Sequence, residues 1–401
     1  MSSQDLDRST PSTVTTLLKV TDDWLNAMDN KLLTGAVFVD LRKAFDTVDH
    51  VLLLRKLTKY GFTDESLEWF KDYLKNRQII TQINGTLSEP KPISCGVPQG
   101  SILGPLLFVL YINDLVSHVK KCHVHLYADD TVLYFSGSTL KNVQDSLQSD
   151  LSNVFEWMCH NRLSLNTDKT VCMLLGSKNV TANQNPLYLT VNLKQIKQVH
   201  EFKYLGVILD DKLSWDIHIE SICKKVSRLV SFLGRLRYFI NEKNMKLIYN
   251  SIVMPHFDYA DIVWDTGKKK CLDKLQKLQN RAGRTILRIN PYSHTSNYQI
   301  HDILGWDSLS SRRTKHLCEM VFKSLNCLVP EYLCDLLKFR SVDYSLRNKD
   351  KLYVPKPNLN YTKRTFSYRG PCIYNSLSID TRNAITIDSF RSKLGQDIHF
   401  Y

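Results

Sequence analysis

Two adjacent carboxylates, Asp129 and Asp130, sit between the segments Cys122-His123-Val124-His125-Leu126 and Thr131-Val132-Leu133-Tyr134-Phe135. β-Branched and aromatic residues on both sides of a short break read as a hairpin with Tyr127-Ala128-Asp129-Asp130 at its tip. Asp is also an ordinary turn residue, since its side chain bonds nearby backbone and tolerates unusual φ, so a plain turn is the alternative. A third acid tips the balance. Gly35-Ala36-Val37-Phe38-Val39 has the apolar character of a strand buried on both faces, and it ends in Asp40. If that strand lies beside the hairpin, Asp40, Asp129 and Asp130 converge. Converging carboxylates raise one another's pKa unless hard cations neutralise them. Mg²⁺ suits such a site, because it takes oxygen ligands, typically one or two carboxylates plus substrate phosphates. Two such ions can activate an attacking hydroxyl and stabilise a leaving phosphate.

The rest of the chain reads as α+β. Asp64 to Arg77 is expected to be a helix with Leu67, Phe70 and Leu74 inward, and Gln78 to Ile83 with Asn84-Gly85 and Thr86 onward a hairpin. Ser101 caps a helix running to about Val116, which leaves Gln99 in the loop before it. Leu140 to Asn161 is amphipathic, and Val171 to Leu175 is a strand. This order fits an antiparallel sheet with helices on one face. Ile222 to about Ile289 reads as helical with breaks near Pro255 and Gly267, and 340 to 370 as an irregular basic connector before an end piece from Tyr374.

The net charge of +13 suits a polyanionic partner, and it is concentrated. Ile222 to Asn290 carries 15 Lys and Arg against 5 Asp and Glu. Within it Lys274, Lys277, Arg281, Arg284 and Arg288 recur in steps of three and four, one stripe on a helix, with Leu275, Leu278, Ala282 and Ile289 as the buried face. Such a stripe can track phosphates; an exposed helix face without a ligand is the alternative. The ten cysteines form no CxxC pair. Cys318, Cys327 and Cys334 with His316 come nearest to a cluster, but their spacing is wider than that of ordinary zinc fingers, so buried thiols in a reducing compartment are expected. No signal core or transmembrane-length stretch stands out, and an intracellular location, cytoplasmic or nuclear and away from membranes, is expected.

Three segments resemble the palm motifs of reverse transcriptases, most of all those of non-LTR (LINE-type) retrotransposons. They are Val37-Phe38-Val39-Asp40-Leu41-Arg42-Lys43-Ala44-Phe45-Asp46-Thr47-Val48-Asp49-His50, then Gly96-Val97-Pro98-Gln99-Gly100-Ser101, then Tyr127-Ala128-Asp129-Asp130. Leu165-Asn166-Thr167-Asp168-Lys169-Thr170 is similar to the fourth palm motif, and Phe202-Lys203-Tyr204-Leu205-Gly206-Val207 to the primer-grip hairpin. The likeness weakens beyond about residue 290. It implies a polymerase right-hand palm over 35–212, a basic helical thumb over 213–290 and an α-rich C-terminal region over 291–401. Asp40, Asp129 and Asp130 would hold two Mg²⁺ ions, with Mn²⁺ as an alternative. Phe45 would close off the sugar 2′ position, Gln99 and Gly100 would meet the incoming nucleotide, and Lys169 would protonate the leaving pyrophosphate. The implied substrates are an RNA template, a DNA primer and deoxynucleoside triphosphates.

One departure is that family members carry a longer fingers region, whereas 39 residues precede Asp40 here. Residues 1–34, where Arg8 to Leu18 resembles the tail of that region, are expected to be a remnant of it. The chain then reads as an N-terminally truncated copy, with a separate protein supplying the fingers as one remedy. An RNA-directed DNA polymerase is the first functional reading. A catalytically silent remnant that binds nucleic acid is the second, and a palm-type RNA polymerase, expected to carry a smaller or polar residue at Phe45, the third.

Overall fold

A computed structural model describes residues 11–182, 184–290, 293–340 and 351–398. Two compact units divide the chain: 31–200, and a discontinuous unit of 1–30 with 201–401.

Residues 31–200 are built on a five-stranded sheet whose order is Lys197–Gln198, Val171–Leu175, Leu33–Val39, Asp130–Gly137, His123–Tyr127. All its pairings are antiparallel except that of the short first strand with Val171–Leu175. Every residue of Leu33–Val39 is buried, as its uninterrupted apolar run requires. Leu33, Val37 and Val39 point with Leu133, Cys172 and Leu174 into a core completed by Val143, Leu147, Leu151 and Val154 of the helix Leu140–His160 and by Leu107, Phe108 and Tyr111 of the helix Leu103–Ile112. Gly35 lets the long helix lie close, since a Cβ there would stand 2.4 Å from Leu147 Cδ1. Ser101 Oγ accepts from Gly104 N–H as expected, but the helix ends at Ile112 and passes into a 3-10 turn over Asn113–His118; Thr139, which the sequence reading did not single out, accepts from Asn142 N–H. The Asn84-Gly85 hairpin forms at positive φ in both residues, and its strands are exposed.

The other unit begins its long C-terminal part with the hairpin Glu201–Tyr204 and Val207–Asp210. The helices Asp216–Leu236, Glu242–Ile252, Met254–Asp258, Asp261–Trp264 and Lys269–Ile286 follow. The two expected breaks are present, with Pro255 in the first turn of a new helix and Gly267 N–H closing onto Trp264 O, and an unexpected one falls at 237–241, where Asn241 caps the helix Glu242–Ile252. The helices Asn297–Leu304, Leu309–Leu325 and Phe366–Ser376 follow, with an isolated antiparallel bridge between Phe339 and Leu352. Residues 341–350 of the expected irregular connector lie outside the described residues; the remainder turns helical at Phe366, capped by Thr365, earlier than expected.

The helix Thr13–Asp29, read from sequence as belonging to the fingers, packs in this same unit against residues near the C-terminus. Asp29 accepts from the N–H groups of Asn358, Leu359 and Thr362 at 2.7, 3.0 and 3.0 Å. One turn-pair earlier, Asp22 accepts from Ser367 N–H and Oγ–H at 3.0 and 2.8 Å. Burial lifts the Asp22 carboxyl from 3.8 to about 6, against the pull of the Ser367 hydrogen bonds. A carboxyl raised on folding contributes stability below its unfolded pKa and loses that contribution as pH rises through the folded value. Asp22→Asn is therefore expected to match the parent near pH 4 and to exceed it by up to about 3 kcal/mol above pH 6. Melting temperatures of the two proteins across pH 4 to 7 check this; a constant offset would remove Asp22 as the titrating group.

Candidate active site

The register Val39↔Thr131, with Tyr127↔Asp130 across the hairpin, brings Asp40 beside the two-residue turn Ala128-Asp129. Ala128 takes a left-handed φ of 52° to make that turn. The Asp130 carboxyl is held above its ordinary range by burial, then by the charges of Asp129 and Asp40. The three acids do not crowd one point. Among the described residues, the group of three or more such side chains whose ligand atoms all lie within 4.8 Å is Asp258, Asp261 and His316. An all-oxygen set spread wider than this suits hard cations that take one or two carboxylates each and complete their shells with phosphate and water. Asp40 is firmly held: its N–H donates to Thr170 Oγ1 at 3.2 Å, its carbonyl accepts from Asn166 N–H at 2.8 Å, and its Oδ2 accepts from Asn166 Nδ2 at 2.9 Å.

The loop carrying Gln99 is tied to the segment just after Asp40. Gly96 N–H donates to Val48 O at 2.7 Å and Val97 N–H to Phe45 O at 2.8 Å, while His50 Nε2 lies 2.7 Å from Gly96 O. Gly96 has φ of +91°, and a Cβ there would meet Asp46 O at 2.8 Å, so glycine is required on two counts. Gln99 Nε2 donates to Asp46 Oδ1 at 2.8 Å. Phe45 stands on a 3-10 turn, Ala44–Thr47, and not on the following helix. It is half-buried, with its ring centroid 4.7 Å from that of Phe108. Core packing and an exposed edge thus coexist in one side chain.

Lys169 lines a cavity of about 530 Å³ with Leu41, Arg42, Lys43, Thr47, Ser164, Asn166 and Asp168. Three cations therefore border a hollow next to Asp40. Sequence reasoning missed Arg42 and Lys43, although they follow Asp40 directly. In the other unit a groove of about 650 Å³ runs between the helices Asp216–Leu236 and Lys269–Ile286. Lys274, Lys277 and Arg281 line one wall, and Lys224, Ser227 and Arg228 the other. The basic stripe divides here. Arg284 donates to Thr295 O at 2.8 Å, and Arg288, beyond the helix end at φ 53°, donates to Ile240 O at 3.0 Å. Those two side chains are committed to the chain's own carbonyls. Lys224 and Arg228, one helical turn apart, were the legible but unread partners.

The Asp258, Asp261 and His316 group is paired internally. Arg312 grips Asp258 at 3.0 and 2.6 Å, and His316 Nδ1 lies 2.6 Å from Asp261 Oδ2. His316 is thereby engaged away from the cysteines, and all ten cysteines are free thiols. Among the described residues, no helix is long and apolar enough to cross a membrane.

Residues 7–209 match the family described as reverse transcriptase (RNA-dependent DNA polymerase). A probable RNA-directed DNA polymerase from transposon BS of Drosophila melanogaster is 29% identical over 76% of this chain and 34% of its own length. The RNA-directed DNA polymerase from mobile element jockey of Drosophila funebris is 30% identical over 71% of this chain and 31% of its own. This chain thus spans about a third of the length of these relatives. A solved telomerase from Candida tropicalis, with a fragment of telomeric RNA, overlaps 76% of this chain and 54% of its own at 14% identity and a TM-score of 0.33, too loose a likeness to argue from.

Proposed function

Because this chain belongs to the reverse transcriptase (RNA-dependent DNA polymerase) family, and is similar to the polymerases of non-LTR retrotransposons, we propose that it extends a DNA primer on an RNA template. The observation that carries the reading is the register that sets Asp40 against the Asp129-Asp130 turn. Residues 31–200 serve as the palm, and the basic helices after the 201–210 hairpin as the thumb. Divalent ions, Mg²⁺ in this proposal, activate the primer hydroxyl and stabilise the leaving phosphate when bound.

Each remaining role belongs to the chain itself. Asp40 and Asp129 would supply the principal oxygen ligands, and Asp130, whose pKa is raised by burial and by the charges of Asp129 and Asp40, would assist. Gln99, steadied by Asp46, and Gly100, whose φ of +82° leaves open space, receive the nucleotide. Phe45 presents its exposed edge against a 2′ substituent. Arg42, Lys43 and Lys169 border a cavity suited to a polyphosphate, and Lys169 is the proton donor to pyrophosphate. The groove cations track the duplex backbone. The test is primer extension by the purified 401-residue chain on an RNA template, with Mg²⁺ and with a chelator. Deoxynucleotide incorporation that the chelator abolishes is expected. Duplex binding without any extension would favour the second reading, a silent nucleic-acid binder, which the groove supports because it needs none of the three acids.

A further inference from the structure

We propose that Asn166 is a positioning residue for the metal site: it holds the Asp40 carboxylate by Oδ2, so that Oδ1 is the oxygen offered to a divalent cation. The proposal rests on the metal-dependent reading above. A carboxylate at a strand end turns easily about its last torsion, whose wells are broad and two-fold. The Asn166 amide, 2.9 Å from Asp40 Oδ2, removes that freedom. Being neutral, it does so without competing with the cation, as a lysine or arginine would.

The amide is itself held in place. Arg42 N–H donates to Ser164 O at 2.8 Å, Leu41 bridges Leu165, and Asn166 O accepts from Thr170 N–H at 2.8 Å and Lys169 N–H at 3.2 Å. Thr170 is fully buried, and its hydroxyl accepts the Asp40 N–H. Both backbone groups of Asn166 are thus paired with backbone. The turn closes without the side chain, so the side chain is free for another task, and what it touches is the carboxylate. Hydrogen bonds behind a ligating carboxylate orient it, and their loss typically costs about 10–100-fold in metal affinity or activity.

The experiment measures Mn²⁺ binding to the full chain by electron paramagnetic resonance, for the parent, Asp129→Asn, Asn166→Ala and the near-isosteric Asn166→Leu. Asp129→Asn should remove the bound Mn²⁺ signal. Each Asn166 variant should weaken Mn²⁺ binding by about 10–100-fold and raise the Mg²⁺ concentration for half-maximal extension by a similar factor, while its melting temperature stays near the parent's. Mn²⁺ affinity within about threefold of the parent in either folded variant would overturn the proposal, as would failure of both variants to fold, which would make Asn166 a structural residue. Mn²⁺ binding that Asp129→Asn leaves untouched would instead defeat the metal reading of the site, and it shows in the control.

Discussion

Asp129→Asn is expected to lower primer extension by at least about 10³-fold while leaving the affinity for a primer-template duplex unchanged. The carboxylate stands at the tip of a two-residue turn, so an isosteric amide disturbs no packing. What it removes is the negative charge that, on the proposed function, would hold a cation. Charge stabilisation by such an ion is worth several kcal/mol in the transition state, and about 4 kcal/mol already corresponds to three orders of magnitude in rate. Steady-state extension with duplex binding measured in parallel decides the point. A variant that retained a tenth of the parent rate would move the chemistry away from this turn.

The second large effect concerns the groove. Five cations line it, Lys224, Arg228, Lys274, Lys277 and Arg281. If each neutralises one phosphate, log affinity against log salt should fall with a slope near −4.5, at about −0.9 per contact. Reversing charge at Lys277 and Arg281 should bring the slope to about −3 or shallower and weaken binding by about 10²-fold at low salt. Arg288→Gln is the control. Its guanidinium is spent on Ile240 O, so the slope should not change. Equal effects of the two changes would mean that the duplex does not lie between these helices.

The meeting of Asp40 with the Asp129 turn was legible because it depends on local pattern: an apolar strand that stops at an acid, and a hairpin with acids at its turn. Their pairing across 89 residues follows once both are strands of one buried sheet. The helices were readable in place but not in extent: the one expected to reach Val116 ends at Ile112, and the one expected to reach Arg77 ends at Leu74. The stripe was over-read at its end for a definite reason. Periodicity carries on through Arg288, but the helix stops at Ile286 and Arg288 turns left-handed, a backbone event that side-chain spacing does not report. Arg42 and Lys43 escaped notice because a cation beside a carboxylate reads as an ordinary surface pair; only the folded cavity gives them a common target. The allegiance of the helix Thr13–Asp29 had no signature at all. Two of its three acids, Asp22 and Asp29, reach the C-terminal residues chiefly through backbone N–H groups, which every residue but proline carries.

That helix also sets an order of assembly. The Asp29 carboxylate and the Thr362 N–H it accepts are 333 residues apart, with all of 31–200 between them. During synthesis the sheet unit is complete, and free to fold, long before its neighbour's last strap has emerged. The helix bearing the fully buried Trp24 precedes that sheet in the chain, yet Asp22 and Asp29 on it find their partners only at residues 358 to 367. Contacts of such separation form slowly. Truncation before residue 358 would therefore strip both carboxylates of these partners while leaving every strand of the sheet in the chain.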